Sequence, residues 1–305
     1  MLSYSFFLKN FCHIESSGGT SLRKKRLLLS TVFFCFLLNG CGGNQASSEI
    51  ESKEKQQTET EQKEIKNEQK EPSKQENEEK GNLEAEETEQ VVKSATPQYR
   101  LNPANSSVNP ISNANAKVVL LTFDDAPDKY SLQIAKTLKS HNVNAIFFVN
   151  GHFIDSEEEK AVLKQIHEMG FAIGNHTQSH ATLKDLSEPE QKNEIVKLND
   201  AVEAIIGERP KFFRAPFGMN TDFSKKLATE EKMLVMNWTY GYDWEKEYQT
   251  KEALTQIMVN SPYLINGANL LMHDREWTSE AISGIITGLQ AKGYEMLDPK
   301  LIETP

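Results

Sequence analysis

Beyond Lys117 the apolar residues gather into seven short runs, at 118–123, 145–149, 171–174, 211–214, 234–238, 268–272 and 295–297. Short apolar runs bounded by turn-forming residues predict strands buried on both faces. Between them apolar residues recur at helical spacing, at 131–140, 157–169, 190–206, 222–231, 251–260 and 279–292. Strand and helix in regular alternation predict an α/β domain. Its sheet should be parallel, because parallel neighbours need a crossover long enough to hold a helix. Seven strands favour a distorted, incomplete (β/α) barrel over an open sheet. In either arrangement ligands gather at the C-terminal ends of the strands.

This pattern is missing upstream. Residues 49–90 contain 15 Glu and 7 Lys, with Ile50, Ile65, Leu83 and Ala85 as the apolar residues. Such a segment cannot bury a core. Residues 42–116 therefore read as a disordered linker, closed by an Asn-, Ser- and Pro-rich stretch at 102–116, and the folded domain as 117–305. Further back, Arg23-Lys24-Lys25-Arg26 precedes twelve residues, 27–38, with Ser30 and Thr31 as the polar ones. As a helix they would span about 18 Å, short of the ~30 Å hydrocarbon core, so residues 1–41 read as a signal peptide. Leu38-Asn39-Gly40-Cys41 resembles a bacterial lipobox. It predicts a protein exported to the outer face of the cell membrane and anchored there by a lipid on Cys41, facing the cell wall.

Charge and cysteine usage narrow the chemistry. The chain carries a net charge of −10, of which residues 91–305 hold −6, so the domain lacks the basic face that nucleic acid demands. Cys12, Cys35 and Cys41 all precede residue 42, so a metal in the domain must be held by His and carboxylates.

Polar residues interrupt the apolar pattern at the ends of the predicted strands. Thr122-Phe123-Asp124-Asp125-Ala126-Pro127 closes the first, and adjacent carboxylates there repel unless a cation or a shared proton relieves them. Asn175-His176-Thr177-Gln178-Ser179-His180 closes the third; one helical turn would put both imidazoles on one face. Arg214-Ala215-Pro216-Phe217 closes the fourth, Tyr242-Asp243-Trp244 follows the fifth, and Leu271-Met272-His273-Asp274 closes the sixth. Each has an ordinary reading alone, as a cap, a surface pair or packing. All five at one edge, with complementary chemistries, point to a site.

The set TFDDAP, HTQSH, RAPF, YDW and LMH, in this order, resembles the polysaccharide deacetylases of carbohydrate esterase family 4, the NodB homology domain, over about residues 117 to 300. Exported members of this type are similar to bacterial peptidoglycan deacetylases. The resemblance implies a distorted (β/α) barrel and a hydrolase that removes N-acetyl groups from amino sugars of peptidoglycan. It also implies a divalent metal, usually zinc, with Co²⁺ or Fe²⁺ suited to the same donors. Residue by residue it implies Asp124 as the base, Asp125, His176 and His180 as metal ligands, Arg214 as the residue orienting the base, and His273, supported by Asp243, as the acid. Pro216, Phe217, Trp244 and Leu271 are implied to bind substrate. Trp238 or Tyr240 is expected to stack on a sugar ring.

Three of the motifs depart from the family pattern. Ala126 stands where glycine is usual before Pro127, Phe217 where tyrosine is usual, and Tyr240 and Gly241 where other members often carry a further acidic residue. They keep alternatives open: a wall-associated binding or structural lipoprotein of weak or lost activity, or a deacetylase of a chitin-like polymer, xylan or poly-glucosamine.

Overall fold

The structure, a computed structural model, describes residues 96–305, and its first elements lie upstream of the domain start that the apolar pattern predicts. Tyr99–Leu101 (β1) and Val108–Pro110 (β2) form an antiparallel hairpin. Tyr99 and Val108 are buried among Leu120, Ile146, Phe148, Leu297 and Ile302. The Gln98 N–H donates to the Leu301 carbonyl, the Glu303 N–H to that of Tyr99, and the Val108 N–H to that of Gly267, each at 2.8 Å. Gly267 is at φ +77°, and a Cβ there would lie 1.9 Å from the Val108 carbonyl oxygen, so this seam requires glycine. The linker boundary at 116 is thereby corrected. Two apolar side chains in a polar stretch make no periodic signal, yet they close one end of the core. The expected signal peptide with Cys41, and residues 42–95 of the expected linker, lie outside the described residues.

A chain starting at Thr96 should melt as one unit, whereas one starting at Lys117 should be less stable. Burial of a large apolar side chain contributes about 1.5–3 kcal/mol, and two would be lost. Equal melting temperatures for the two would show that the hairpin is ornamental.

The remaining elements alternate: Val118–Ala126 (β3), Ser131–Ser140 (α1), Ile146–Val149 (β4), Glu157–Glu168 (α2), Ala172–Asn175 (β5), Glu188–Ile206 (α3), Phe212–Phe213 (β6), Asp222–Glu230 (α4), Leu234–Val235 (β7), Tyr240–Gly241 (β8), Lys251–Asn260 (α5), Ala268–His273 (β9), Glu276–Ala291 (α6) and Glu295–Met296 (β10). The strands β3 to β10 make one all-parallel sheet in the order β7-β6-β5-β4-β3-β9-β8, with β10 paired to the start of β3. The two-residue β8 is an eighth strand that lies just beyond the apolar run at 234–238 and was missed by it.

The edges of this sheet are consecutive in sequence. Laid flat, seven neighbouring strands would separate β7 from β8 by about 29 Å. The chain from Val235 to Tyr240 reaches at most about 18 Å. The sheet must therefore curl into a barrel whose slot is crossed by residues 236–239. Strand alternation then sorts β3: Val119, Leu121 and Phe123 pack under the helices, while Val118 and Leu120 face the barrel interior. Thr122 and Asp124 share the phase of Val118 and Leu120, and both are buried.

Candidate active site

A cavity of about 480 Å³ opens at the C-terminal ends of the strands, lined by Asp124, Asp125, His176, His180, Phe217, Trp238, Trp244, Leu271, His273 and Arg275. Nine of these come from the sequence motifs or the tryptophans beside them. Arg214, Asp243 and Pro216 stand behind the wall. A larger cleft, about 620 Å³, lies at the N-terminal ends of β5 and β6, lined among others by His167, Arg209 and Lys211. The chemistry concentrates in the smaller one: among the described residues Asp125, His176 and His180 are the one group of three whose ligand atoms all lie within 4.8 Å of one another.

The two aspartates diverge at the end of β3. Asp124 continues the inward phase, and its Oδ1 accepts from the Arg214 Nη1 at 2.6 Å. Asp125 has φ +59°, which turns its carboxylate towards the rim. The same left-handed region is occupied by Thr177 (φ +72°), His180 (+60°) and Phe217 (+58°). Non-glycine residues adopt it rarely, and here four of them surround one cavity. The two imidazoles meet with centroids 5.0 Å apart through these turns, and not through the helical turn that their spacing suggested.

That loop is held from several sides. Glu194 on α3 accepts from the Ser179 N–H and Oγ, both at 2.8 Å, and Asn150 Nδ2 donates to the His176 carbonyl at 2.6 Å. His176 Nδ1 lies 2.7 Å from the Arg214 carbonyl oxygen, which only accepts, so Nδ1 carries the proton and Nε2 a lone pair. Burial pushes the His176 pKa down and keeps it neutral. Its Nε2 faces Asp124 Oδ2 at 3.5 Å, and His180 Nε2 faces Asp125 Oδ1 at 3.6 Å. A lone pair directed at carboxylate oxygens is unfavourable unless a cation lies between them. One carboxylate and two imidazoles fit a divalent metal and leave positions open for water and substrate. Burial alone would raise the Asp125 pKa, but His273, His176, His180 and Arg275 outweigh it and hold the carboxyl below its usual range.

On the opposite wall His273, the register partner of Asp124 across β3 and β9, meets Asp243. Asp243 is fully buried. Its Oδ1 lies 2.7 Å from His273 Nδ1, and its Oδ2 accepts from the His273 N–H at 2.6 Å and from Thr278 Oγ1 at 2.7 Å. Burial pulls the His273 pKa down, and the adjacent Asp243 more than reverses this, so it rises above the ordinary 6.5. In Asp243→Asn the largest upward influence is lost and burial is opposed only by the charges of Asp124 and Asp125, so the alkaline limb of the rate profile, where His273 loses its proton, should move to lower pH. A limb that stays in place would remove His273 or Asp243 from the reaction.

Several supports escaped the sequence reading. The Asp274 carboxylate accepts from the N–H groups of Asp128, Lys129, Tyr130 and Ser131, at 2.6 to 3.2 Å, and so pins the loop after Asp125 at the start of α1. Arg275 Nη2 donates to Asp125 Oδ2 at 2.9 Å. The one signal available was the His273-Asp274-Arg275 run that ends the sixth predicted strand.

A profile of the polysaccharide deacetylase family matches residues 111–236. A peptidoglycan-N-acetylglucosamine deacetylase of Bacillus cereus is 32% identical over 198 residues, 62% of this chain and 70% of that protein. The chain belongs to the polysaccharide deacetylase family. As a member of it the chain is a hydrolytic deacetylase, and its fold agrees with solved relatives. Peptidoglycan deacetylase PdaC from Bacillus subtilis superposes with a TM-score of 0.54 at 31% identity, covering 62% of this chain and 90% of that one. A CE4 family pseudoenzyme from Bacillus anthracis superposes with a TM-score of 0.56 at 30% identity, covering 62% and 67%.

The departures from the deacetylase pattern take a concrete form here. Ala126 is buried in the core, and positive φ falls on Asp125 instead, so the alanine asks for none of glycine's freedom. Phe217 is 59% exposed and sets its ring edge-on to His180, with centroids 4.9 Å apart. The turn's own bonds start from the N–H groups of Gly218 and Met219 and leave that of Phe217 out. Trp244 is half-exposed, edge-on to His273 with centroids 5.5 Å apart. A Cβ on Gly241 would lie 2.7 Å from the Trp244 ring, so this glycine admits the indole. Trp238 lines the cavity, whereas Tyr240 is buried and donates its hydroxyl to the Met258 carbonyl at 2.7 Å. The expectation of a sugar stacked on Tyr240 is withdrawn, because β8 alternation turns that ring towards α5.

Proposed function

We propose that this domain removes N-acetyl groups from the amino sugars of cell-wall peptidoglycan, releasing acetate, with a divalent metal, zinc first, held by Asp125, His176 and His180. The observation that carries the reading is the pairing of two opposed proton carriers across one metal-binding triad: Asp124 backed by Arg214, and His273 backed by Asp243. Relatives named as peptidoglycan deacetylases support the polymer. A divalent cation in such a site supplies Lewis acidity, lowering the pKa of water to about 7 and polarising an amide carbonyl.

The chain's own groups then divide the work. Asp124, with Oδ1 held by Arg214, takes the proton of the attacking water on Oδ2. The Phe217 N–H donates to the oxygen that becomes negative as the water adds. His273, protonated and fixed through Nδ1 by Asp243, donates from Nε2 to the leaving nitrogen, so that amide and water become amine and acetate. Trp244, Leu271 and Phe217 present apolar surface to the acetyl methyl. Pro216, set behind Phe217, shapes the turn and is kept from the substrate by its burial.

Acetate release from N-acetylated peptidoglycan, with and without a chelator and after zinc is restored, tests the reading. Release that is absent, or indifferent to the chelator, would overturn it. Chitin-like oligomers, acetylated xylan and poly-N-acetylglucosamine tested in parallel separate the other polymers.

Export and anchoring belong to the same reading. A lipid on Cys41 would hold the domain at the membrane within reach of the wall. A Cys41→Ser chain should leave the membrane fraction, and retention there would disprove the anchor.

A further inference from the structure

Arg275 is the one charged cavity-lining residue that neither the motifs nor the proposed reaction uses. It is the N-cap of α6, with extended backbone at φ −135° and ψ 153°, so its side chain starts from a fixed point beside His273. The guanidinium donates through Nη1 to the Asp274 carbonyl at 3.0 Å and through Nη2 to Asp125 Oδ2 at 2.9 Å. The other oxygen of Asp125, Oδ1, faces His180. The terminal torsion of an aspartate is broad, so a carboxylate at the end of a strained turn can present either oxygen or both. Arg275 occupies one of them.

We infer that Arg275 is a positioning residue for the metal site, fixing Asp125 as a one-oxygen ligand that presents Oδ1. The inference rests on the proposed metal-binding reading of Asp125, His176 and His180. Partners of ligating groups orient them, and their loss typically weakens metal affinity by about 10- to 100-fold. Lysine reaches with a single compact charge in place of a planar fork, so it should restore the bond only in part. The guanidinium is partly exposed, 38% for its side chain, so the fold does not depend on it.

The experiment measures zinc dissociation constants by chelator competition, and the visible spectrum of the cobalt-substituted domain, for the parent, Arg275→Ala and Arg275→Lys. Arg275→Ala should bind zinc about 10- to 100-fold more weakly and show an altered cobalt spectrum, with Arg275→Lys between it and the parent and melting temperatures unchanged. Unchanged affinity and spectrum in Arg275→Ala would overturn the inference. So would tighter binding, which would make Arg275 a competitor for Asp125. A parent that binds neither metal would instead remove the reading beneath it.

Discussion

Alanine at Asp125, His176 or His180 should strip the domain of metal, whereas Asp124→Asn should keep the metal and slow deacetylation by about 10²- to 10⁴-fold. The contrast follows from where the two neighbouring carboxylates point. Asp125 stands with the imidazoles at the rim, in a group whose ligand atoms lie within 4.8 Å of one another. Among the described residues this group has three protein donors, so loss of one leaves too few for tight binding. Asp124 points into the interior, 2% exposed, with one oxygen on Arg214. An asparagine there preserves size and can still bond to its surroundings, but it cannot hold a proton from water. Metal content and acetate release on the same four variants check both halves. Metal loss in Asp124→Asn, or full turnover, would mean that the roles are wrongly divided.

Arg214→Met should destabilise the fold by about 3–5 kcal/mol, the usual effect of removing one partner from a buried ion pair. For a domain of ordinary stability that is a large fraction of the total. The guanidinium is fully buried and has work beyond Asp124. Its Nε donates to the Met236 carbonyl at 3.3 Å and its Nη2 to that of Asn237 at 3.0 Å. These carbonyls belong to the segment that crosses the slot between β7 and β8, where no strand is present to receive them. Arg214 thus holds Asp124 and closes the barrel with one side chain. The double variant Arg214→Met with Asp124→Asn should recover part of the stability, because the unpaired charge is gone, while activity stays lost. Thermal melts of the single and double variants read this directly; a double variant no more stable than Arg214→Met would show that the slot carbonyls, and not the charge, dominate.

The order of strands and helices, their parallel pairing and the meeting of five motifs at one end of the sheet were determined by the sequence alone. The reason is local: apolar runs of strand length and apolar stripes of helical period are properties of neighbouring residues, and a β-α alternation leaves few ways to connect them. The identities of the site residues were legible too, because Asp-Asp, His-x-x-x-His and a strand-terminal His are polar where burial would otherwise exclude them.

What the tertiary structure decided is direction. Strand phase sends Asp124 inward and turns Tyr240 towards α5, and a single residue of slip would reverse each. Positive φ at Asp125, Thr177, His180 and Phe217 makes the candidate ligands converge, and no rule of sequence places four non-glycine residues there. The hairpin at Tyr99 and Val108 lay hidden in a polar stretch because its partners, Leu120, Phe148 and Ile302, are remote in sequence. The roles of Arg275 and Asp274 were hidden for the same reason. Their partners, Asp125 and the amides of 128–131, lie about 145 residues away and are met only once β9 has paired with β3.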